Sequence, residues 1–212
     1  MILTILGAPG AGKGTMAKEL SAALNIPTIS TGALLRTEIA SGSKRGEMID
    51  ALISKGNFVP DDVIVEILCD RLNNDDCKNG YILDGFPRNT EQAKNLDNYK
   101  IKLDTVLLLD VSEDEIIERL TGRRECKNCR STYHIKSNPS KKEGICDECG
   151  GELVRRSDDE EDIIRKRISI YKKETAPLVS FFRDKNLLIE VKGLETVEKT
   201  KNSVFKALGI NI

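Results

Sequence analysis

Gly7-Ala8-Pro9-Gly10-Ala11-Gly12-Lys13-Gly14-Thr15 decides the reading of this chain. Ahead of it, Ile2, Leu3, Ile5 and Leu6 form a short continuous apolar run, the pattern of a strand buried on both faces. Behind it, Ala17, Leu20 and Ala23/Leu24 fall on one helical stripe. The glycines let the backbone fold tightly, so that successive N–H groups point into one concavity. The helix N-terminus adds its positive dipole end and Lys13 adds a point charge. Such a nest is built for the phosphates of a nucleotide. The bland alternative is an ordinary glycine-rich turn, against which spacing, lysine and strand–helix context all argue. The general pattern places Ser or Thr directly after the lysine to hold magnesium; here Gly14 stands there and the hydroxyl follows at Thr15. Magnesium is therefore expected to be touched through waters, with Asp84 at a strand end as its contact. An equal reading makes Asp84 a strand-terminal turn residue.

Outward from this loop the strand–turn–helix unit repeats. Ile26–Ile29, Tyr81–Leu83, Val106–Leu109 and Leu187–Val191 are further buried-strand candidates. Ser30 and Thr31 stand ready to cap a helix. Pro60-Asp61-Asp62 opens another, with Ile64, Ile67/Leu68 and Leu72 as its stripe. A closing helix is expected near 195–208. Five such units argue for an α/β fold with a parallel sheet. Two segments break the rhythm. Residues 30–59 are helical and polar, and Gly122 to about Asp159 has no helical period, four cysteines and many charges.

The 212 residues suffice for one sizeable domain with small lobes, burying roughly 70% of the unfolded surface. With 33 basic against 34 acidic residues, global charge argues for neither a nucleic-acid nor a membrane partner. No apolar stretch approaches the roughly 20 residues that span a bilayer, and the N-terminus does not read as a signal peptide. The expectation is a cytoplasmic monomer.

Cys126-Lys127-Asn128-Cys129 and Cys146-Asp147-Glu148-Cys149 are separated by sixteen residues, the spacing of a closed four-cysteine zinc site. A pair of disulfides is the alternative, and nothing here suggests export. With no open position the metal is expected to be structural, stapling a segment too polar to fold alone. Cys69 reads as a packed small hydrophobe, Cys77 as a residue of a polar loop, and neither shows a catalytic pairing; His134, the only histidine, has no partner triad in the sequence.

Between Arg123 and Arg156 there are nine Lys/Arg against five Asp/Glu. Arg119 and Arg123 read as neighbours on one face at a helix end, with Arg124 beside them. An anionic ligand would relieve their repulsion better than the helix dipole does. Ile163, Arg167 and Tyr171 recur every four residues, so Arg167 points along an apolar face. A guanidinium aimed inward at phosphate is preferred over one that snorkels to the surface. The run Asp158–Asp162 reads as a carboxylate-rich helix N-terminus.

Taken together, the nine-residue loop, Ser30-Thr31-Gly32, Asp84-Gly85-Phe86-Pro87-Arg88, Gly122-Arg123-Arg124, the four cysteines and Thr175-Ala176-Pro177-Leu178 resemble the adenylate kinase family, in its long-lid, zinc-containing bacterial type. The resemblance covers essentially the whole chain. It implies a P-loop kinase core with a five-stranded parallel sheet (1–29, 60–121 and 160–212), a monophosphate-binding arm (30–59) and a zinc lid (122–159). The implied reaction is reversible: MgATP plus AMP gives two ADP, keeping adenine nucleotides in balance. By the same resemblance, Gly10, Ala11, Gly12, Lys13, Gly14 and Thr15 would hold the ATP phosphates. Arg119, Arg123, Thr132 and Tyr133 would lie over ATP, with Glu195 near its adenine. Thr31, Arg36, Asn57, Phe58, Val59, Gly85, Phe86, Pro87, Arg88 and Gln92 would receive AMP, and Arg156 and Arg167 would close over the phosphates. Lys13, Arg88, Arg123, Arg156 and Arg167 would be the catalytic charges. Phosphoryl transfer needs in-line positioning and dispersed positive charge more than a nucleophile, which suits this set.

Three positions depart from the family pattern. Ala33 stands where an aspartate usually follows Thr-Gly, Val191-Lys192-Gly193 lacks the usual Asp-Gly, and Asn89 after Pro87-Arg88 resembles pyrimidine monophosphate kinases. Gln92 remains the expected adenine reader. Rival readings are a UMP/CMP-type kinase, a zinc-ribbon nucleic-acid module with ATP as a switch, and a redox protein using its Cys-x-x-Cys pairs.

Overall fold

Five parallel strands form the central sheet of the computed structural model, which describes residues 1–57 and 59–210. In chain order they are β1 (Ile2–Leu6), β2 (Thr28–Ser30), β3 (Tyr81–Asp84), β4 (Thr105–Asp110) and β8 (Leu188–Lys192). Their spatial order is β2-β3-β1-β4-β8. The apolar runs are continuous because each strand is covered on both faces, and alternate residues project to opposite sides. Leu6, Tyr81, Leu83, Val106 and Leu108 enter one core cluster; Leu3, Ile5, Ile82, Leu107 and Leu109 enter the other. Leu3, Ile82, Leu83, Val106 and Leu107 are completely buried. Each such aliphatic side chain stabilises the fold by about 1.5–3 kcal/mol relative to exposure.

Helix α1 (Lys13–Leu24) and α9 (Val197–Leu208) cover the second cluster, through Met16, Ala17, Leu20, Val204 and Phe205. The opposite face is closed by α4 (Asp61–Leu72) and α8 (Pro177–Asp184), through Ile64, Leu68, Leu178 and Phe182. The stripe expected after Pro60 is thus present, with Pro60 as the N-cap of α4.

The 30–59 excursion is a helical pair, α2 (Thr31–Ala40) and α3 (Lys44–Ile53). Ser30 holds the N-cap position of α2 without a side-chain cap bond. Thr31 instead spends its hydroxyl on Gly85 O at 3.0 Å. Between β3 and β4 lies the short α5 (Thr90–Lys94).

Helix α6 (Glu113–Thr121) starts in a capping box, Ser112 with Glu115, and ends at Gly122. The chain then enters a separate antiparallel sheet of order β6-β5-β7, made of β5 (Arg123–Cys126), β6 (Thr132–His134) and β7 (Leu153–Val154). Arg119 and Arg123 therefore do not share a helix face, contrary to the sequence expectation: the helical register is lost at Gly122. The insert leads back through a 3-10 turn, Ser157–Asp159, into α7 (Glu161–Ile170). A π-helical turn, Tyr171–Thr175, joins α7 to α8.

Candidate functional site

Strands β3 and β4 lie on either side of β1, so the chain leaves the sheet in opposite directions at the carboxyl end of β1. An open α/β sheet forms its ligand crevice at such a point. The glycine loop sits there. Gly12 adopts a left-handed conformation (φ 93°), which a residue without Cβ takes at no cost, and it is the N-cap of α1. Lys13 folds back into the loop, donating to Gly7 O at 2.8 Å and Ala8 O at 2.9 Å. Burial pushes its ammonium down to about 8; Asp84 opposes this, while Arg88, Arg167 and Arg123 add to it. A Cβ placed on Gly14 would lie 3.6 Å from Asp84 Oδ2. The carboxylate of Asp84 thus stands beside the start of α1, and Thr15 is exposed nearby. These residues fit a hydrated magnesium ion carried by a nucleotide.

Arg36, Arg88, Arg156 and Arg167 line one cleft of about 470 Å³, with Asn57 and Gly32 on its wall. They arrive from α2, the β3–α5 loop, the end of the insert and α7. Four cations converge there around one carboxylate of the lining, Asp158. Burial first, and Arg156 second, bring the Arg36 guanidinium down to about 10, and its Nε is buried without a hydrogen-bond partner among the described residues. A buried orphan donor costs about 1–3 kcal/mol. Arg88 donates from Nε to Gly85 O at 2.8 Å, and its own carbonyl accepts from Thr175 Oγ1 at 2.6 Å. The π-helical turn is what brings Thr175 to that carbonyl.

The acidic run divides. Glu161 and Asp162 occupy the first turn of α7, as expected, whereas Asp158 and Asp159 lie before it and are buried. Arg123 grips Asp159 with two bonds, of 2.7 and 2.5 Å, and Arg156 grips Asp158 with two, of 2.8 and 2.6 Å. Arg167 donates to Asp158 O at 2.7 Å and stands 3.3 Å from Asp159 Oδ1. It is turned inward. Burial alone would raise the Asp158 carboxyl, but Arg167 and Arg156 outweigh it and hold it at about 2. Two aspartates thus hold three arginines at the cleft. The sequence carried a signal for this, since Arg155-Arg156 precedes Asp158-Asp159 in a segment with surplus positive charge.

A second polar knot closes the site beyond Arg88. Gln92, 2% exposed, accepts at Oε1 from the Arg88 backbone N–H at 2.7 Å and donates from Nε2 to Asp61 Oδ1 at 2.6 Å. Asn89 caps α5, accepting from Gln92 N at 2.8 Å, and donates to Asp61 Oδ2 at 3.0 Å. Its departure from the family pattern therefore has a structural role here. Phe86 and Val59 are buried, and a cis bond joins Phe86 to Pro87. Phe86 packs into the core against Tyr99, so its side chain faces away from the cleft. Phe58 lies outside the described residues.

On the far side of the loop, Arg119 donates to Leu194 O at 3.3 Å, next to Glu195, whose carboxylate pairs with Lys199 at 2.7 Å. Thr132 is exposed on β6. Tyr133 is buried and turns its hydroxyl to Cys146 Sγ at 3.4 Å while accepting from Asp147 N at 2.8 Å. That hydroxyl serves the cysteine knuckles rather than the cleft. The contacts of His134 are to backbone atoms. Its Nε2 lies 3.3 Å from Glu118 O, and Nδ1 accepts from the backbone N–H of Lys136 and Ser137. Cys77, expected in an open loop, is buried against Arg71, while Cys69 is half-buried on α4.

All six cysteines are free. The sulfurs of Cys126, Cys129, Cys146 and Cys149 lie within 4.8 Å of one another, with the shortest separations 3.4 and 3.5 Å. Four sulfurs at about 2.3 Å from one centre would stand about 3.8 Å apart. The set fits a tetrahedral thiolate metal site.

The adenylate kinase family model matches residues 5–187. An adenylate kinase of Caldicellulosiruptor bescii is 46% identical, over 99% of this chain and 100% of its own length. Those of Thermodesulfovibrio yellowstonii and Clostridium acetobutylicum are 47% and 43% identical, over 96% and 99% of this chain and 97% and 99% of their own lengths. A phosphate nest beside convergent arginines, a four-thiolate insert and relatives matched end to end agree: the chain belongs to the adenylate kinase family.

Proposed function

We propose that this protein catalyses reversible transfer of the terminal phosphoryl group of MgATP to AMP, giving two ADP, with the following division of labour. The observation that carries the reading is the cleft of four arginines beside the glycine loop, in which Arg36 Nε has no hydrogen-bond partner among the described residues. An AMP phosphate there would satisfy Arg36 and disperse the repulsion among Arg36, Arg88, Arg156 and Arg167.

Gly10–Thr15 would cradle the ATP phosphates, and Lys13 would exchange the carbonyls of Gly7 and Ala8 for phosphate oxygens. Magnesium, arriving with ATP, supplies charge neutralisation on the phosphates, and Asp84 would hold its waters. Arg123, Arg156 and Arg167, kept in place by Asp158 and Asp159, would surround the transferred group. No covalent intermediate is needed, because orientation and preorganised charge supply the acceleration.

Thr31, Asn57, Val59, Gly85 and Arg88 would line the AMP side and Gln92 would read its base. Arg119, the backbone near Glu195, Thr132 and Tyr133 would border ATP. Residues 122–159 would be the lid, with zinc on Cys126, Cys129, Cys146 and Cys149 as its staple. Residues 30–59 would be the AMP arm, and the remainder the core. Closure over the nucleotides would exclude water, which would otherwise take the phosphoryl group. The reading carries with it a cytoplasmic monomer with no nucleic-acid or membrane partner. No helix among the described residues is long and apolar enough to cross a membrane.

The test is to mix the protein with MgATP and, separately, AMP, CMP, UMP and GMP, and to quantify every nucleotide by chromatography. ADP should accumulate with AMP, and ATP alone should be little hydrolysed. Turnover with CMP or UMP instead would move the acceptor away from AMP, and no transfer to any acceptor would sink the kinase reading.

A further inference from the structure

The Gln92 carboxamide offers four hydrogen-bonding positions, two N–H groups and two lone pairs. The protein occupies two of them: Arg88 N–H donates to Oε1, and Nε2 donates to Asp61 Oδ1. One N–H and one lone pair remain. The two protein partners admit a single orientation of the amide. Turned by 180°, it would set its oxygen against the Asp61 carboxylate and its N–H groups against the Arg88 N–H. Gln92 is 2% exposed, so a mismatched amide would be buried without water to compensate. Asp61 is itself held, since its second oxygen accepts from Asn89, which in turn accepts from Gln92 N. The three side chains form a closed ring of hydrogen bonds at the start of α4 and α5.

This lock has a chemical consequence. At positions 1 and 6 of a purine, a 6-amino base presents an acceptor and a donor, and a 6-oxo base presents the reverse. A glutamine free to turn over can match either pattern, but one held by a carboxylate can match only one. We propose that Asp61 is a specificity-determining positioning residue: by fixing the carboxamide of Gln92 it makes the acceptor site take a 6-aminopurine monophosphate and refuse a 6-oxopurine monophosphate. The inference rests on the reading of Gln92 as the residue that meets the acceptor base. Asp61 lies outside the motifs that carry the family resemblance, and its position suggests at first only the opening of a helix.

IMP is the right probe, because its base carries no 2-amino group and its purine differs from that of AMP only at positions 1 and 6. We would measure kcat/KM for AMP and IMP at saturating MgATP in wild type, Asp61→Asn and Gln92→Ala. Asparagine keeps the shape of Asp61 but can present either its oxygen or its amide nitrogen to Gln92. The wild type should favour AMP strongly, and in Asp61→Asn, where only the Arg88 backbone N–H still opposes the turned amide, the AMP-to-IMP ratio should fall by roughly three- to tenfold, mostly through KM. Damage that was only structural would lower both substrates together and leave the ratio unchanged, which would overturn the proposal. Should Asp61→Asn fail to fold, Asp61→Ala, which removes the acceptor outright, is read by the same criterion. Gln92→Ala separates the two layers. If it collapses the ratio while Asp61→Asn does not, Gln92 reads the base without the lock and the proposal fails alone. If Gln92→Ala leaves the ratio at its wild-type value, the base-reading assignment fails and this inference goes with it.

Discussion

The central sheet and the 122–159 insert are folded by different forces. Nineteen buried residues form the larger of the two clusters around the sheet, whereas the insert's own cluster has three, Cys126, Tyr133 and Cys146, with Leu153 against it. Two of those three are metal-ligand candidates. Apolar burial thus suffices for the core, while the insert depends on four sulfurs and on ion pairs such as Lys127–Glu152 and Lys136–Glu118, which are exposed and weak. One chain should therefore fail in two independent ways.

If the four sulfurs hold the metal proposed for them, its removal is the largest effect expected. Metal binding at a structural four-thiolate site is worth about 10 kcal/mol or more, nearly all of it ordering energy. Chelation, or Cys146→Ser, should disorder the insert and displace Arg123 and Arg156, costing about a hundredfold or more in turnover. The sheet should survive. Far-UV dichroism and a metal assay on the same sample check this; an insert that stays ordered and active without metal would erase the contrast.

The converse experiment strikes the core. Leu83 is wholly buried in β3, and Leu83→Ala should cost about 2–5 kcal/mol in global stability. In a chain of this size that is a fall of roughly 10 °C in melting temperature. The metal should remain bound up to the new transition, as read by the metal assay during the melt. Early release of the metal would mean that the insert borrows its stability from the sheet.

Asp158 joins the two regions, and it is sensitive to acid. Its carboxyl is held at about 2 against an ordinary 3.8, so its contribution is complete above 3.8 and is lost as pH falls through 2. That contribution is about 2 kcal/mol. Between pH 5 and 2 the wild type should lose about that much more stability than Asp158→Asn, measured by urea unfolding of both. Parallel losses would show that the arginines do not depend on this charge.

The sheet was legible because strands buried on both faces print continuous apolar runs, and all five candidates became strands. The glycine loop and the cysteine pairs were legible because their chemistry is local, with every participant within a few residues of the next. What escaped was long-range. Asp158 and Asp159 read as a helix start, because nothing local shows that Arg123, 36 residues away, will fold onto Asp159. The Asp61–Gln92 bond spans 31 residues and joins two helix starts. Arg123 was misplaced onto α6 because periodicity cannot show a helix stopping at Gly122 before a strand that carries similar charges. Arg167 stands out in the sequence because a cation on an otherwise apolar stripe is a local anomaly, and in the fold it lies against Asp158 and Asp159.

The smallest effect belongs to Lys13, and it tests the glycine loop on the core side. Its ammonium is lowered to about 8 by burial, with Arg88, Arg167 and Arg123 adding to the shift against the pull of Asp84. A lowered cation is a charge that its buried surroundings tolerate poorly. As pH falls below 8 the folded protein must carry it, so charging Lys13 works against the fold there, and the penalty fades as pH rises through 8 toward 10.5. ATP reverses the balance, because its phosphates favour the charged form and outweigh the arginines. At pH 8.5 about three quarters of the unliganded protein should hold Lys13 neutral, and binding ATP should draw the proton back. Calorimetric titration in two buffers of different ionisation enthalpy should therefore show an uptake of about half a proton or more at pH 8.5, fading to little at pH 6.5. Lys13→Arg, charged throughout this range, should abolish the uptake. An equal uptake in that variant would assign the proton to another group and remove Lys13 from the list of strained charges at the glycine loop.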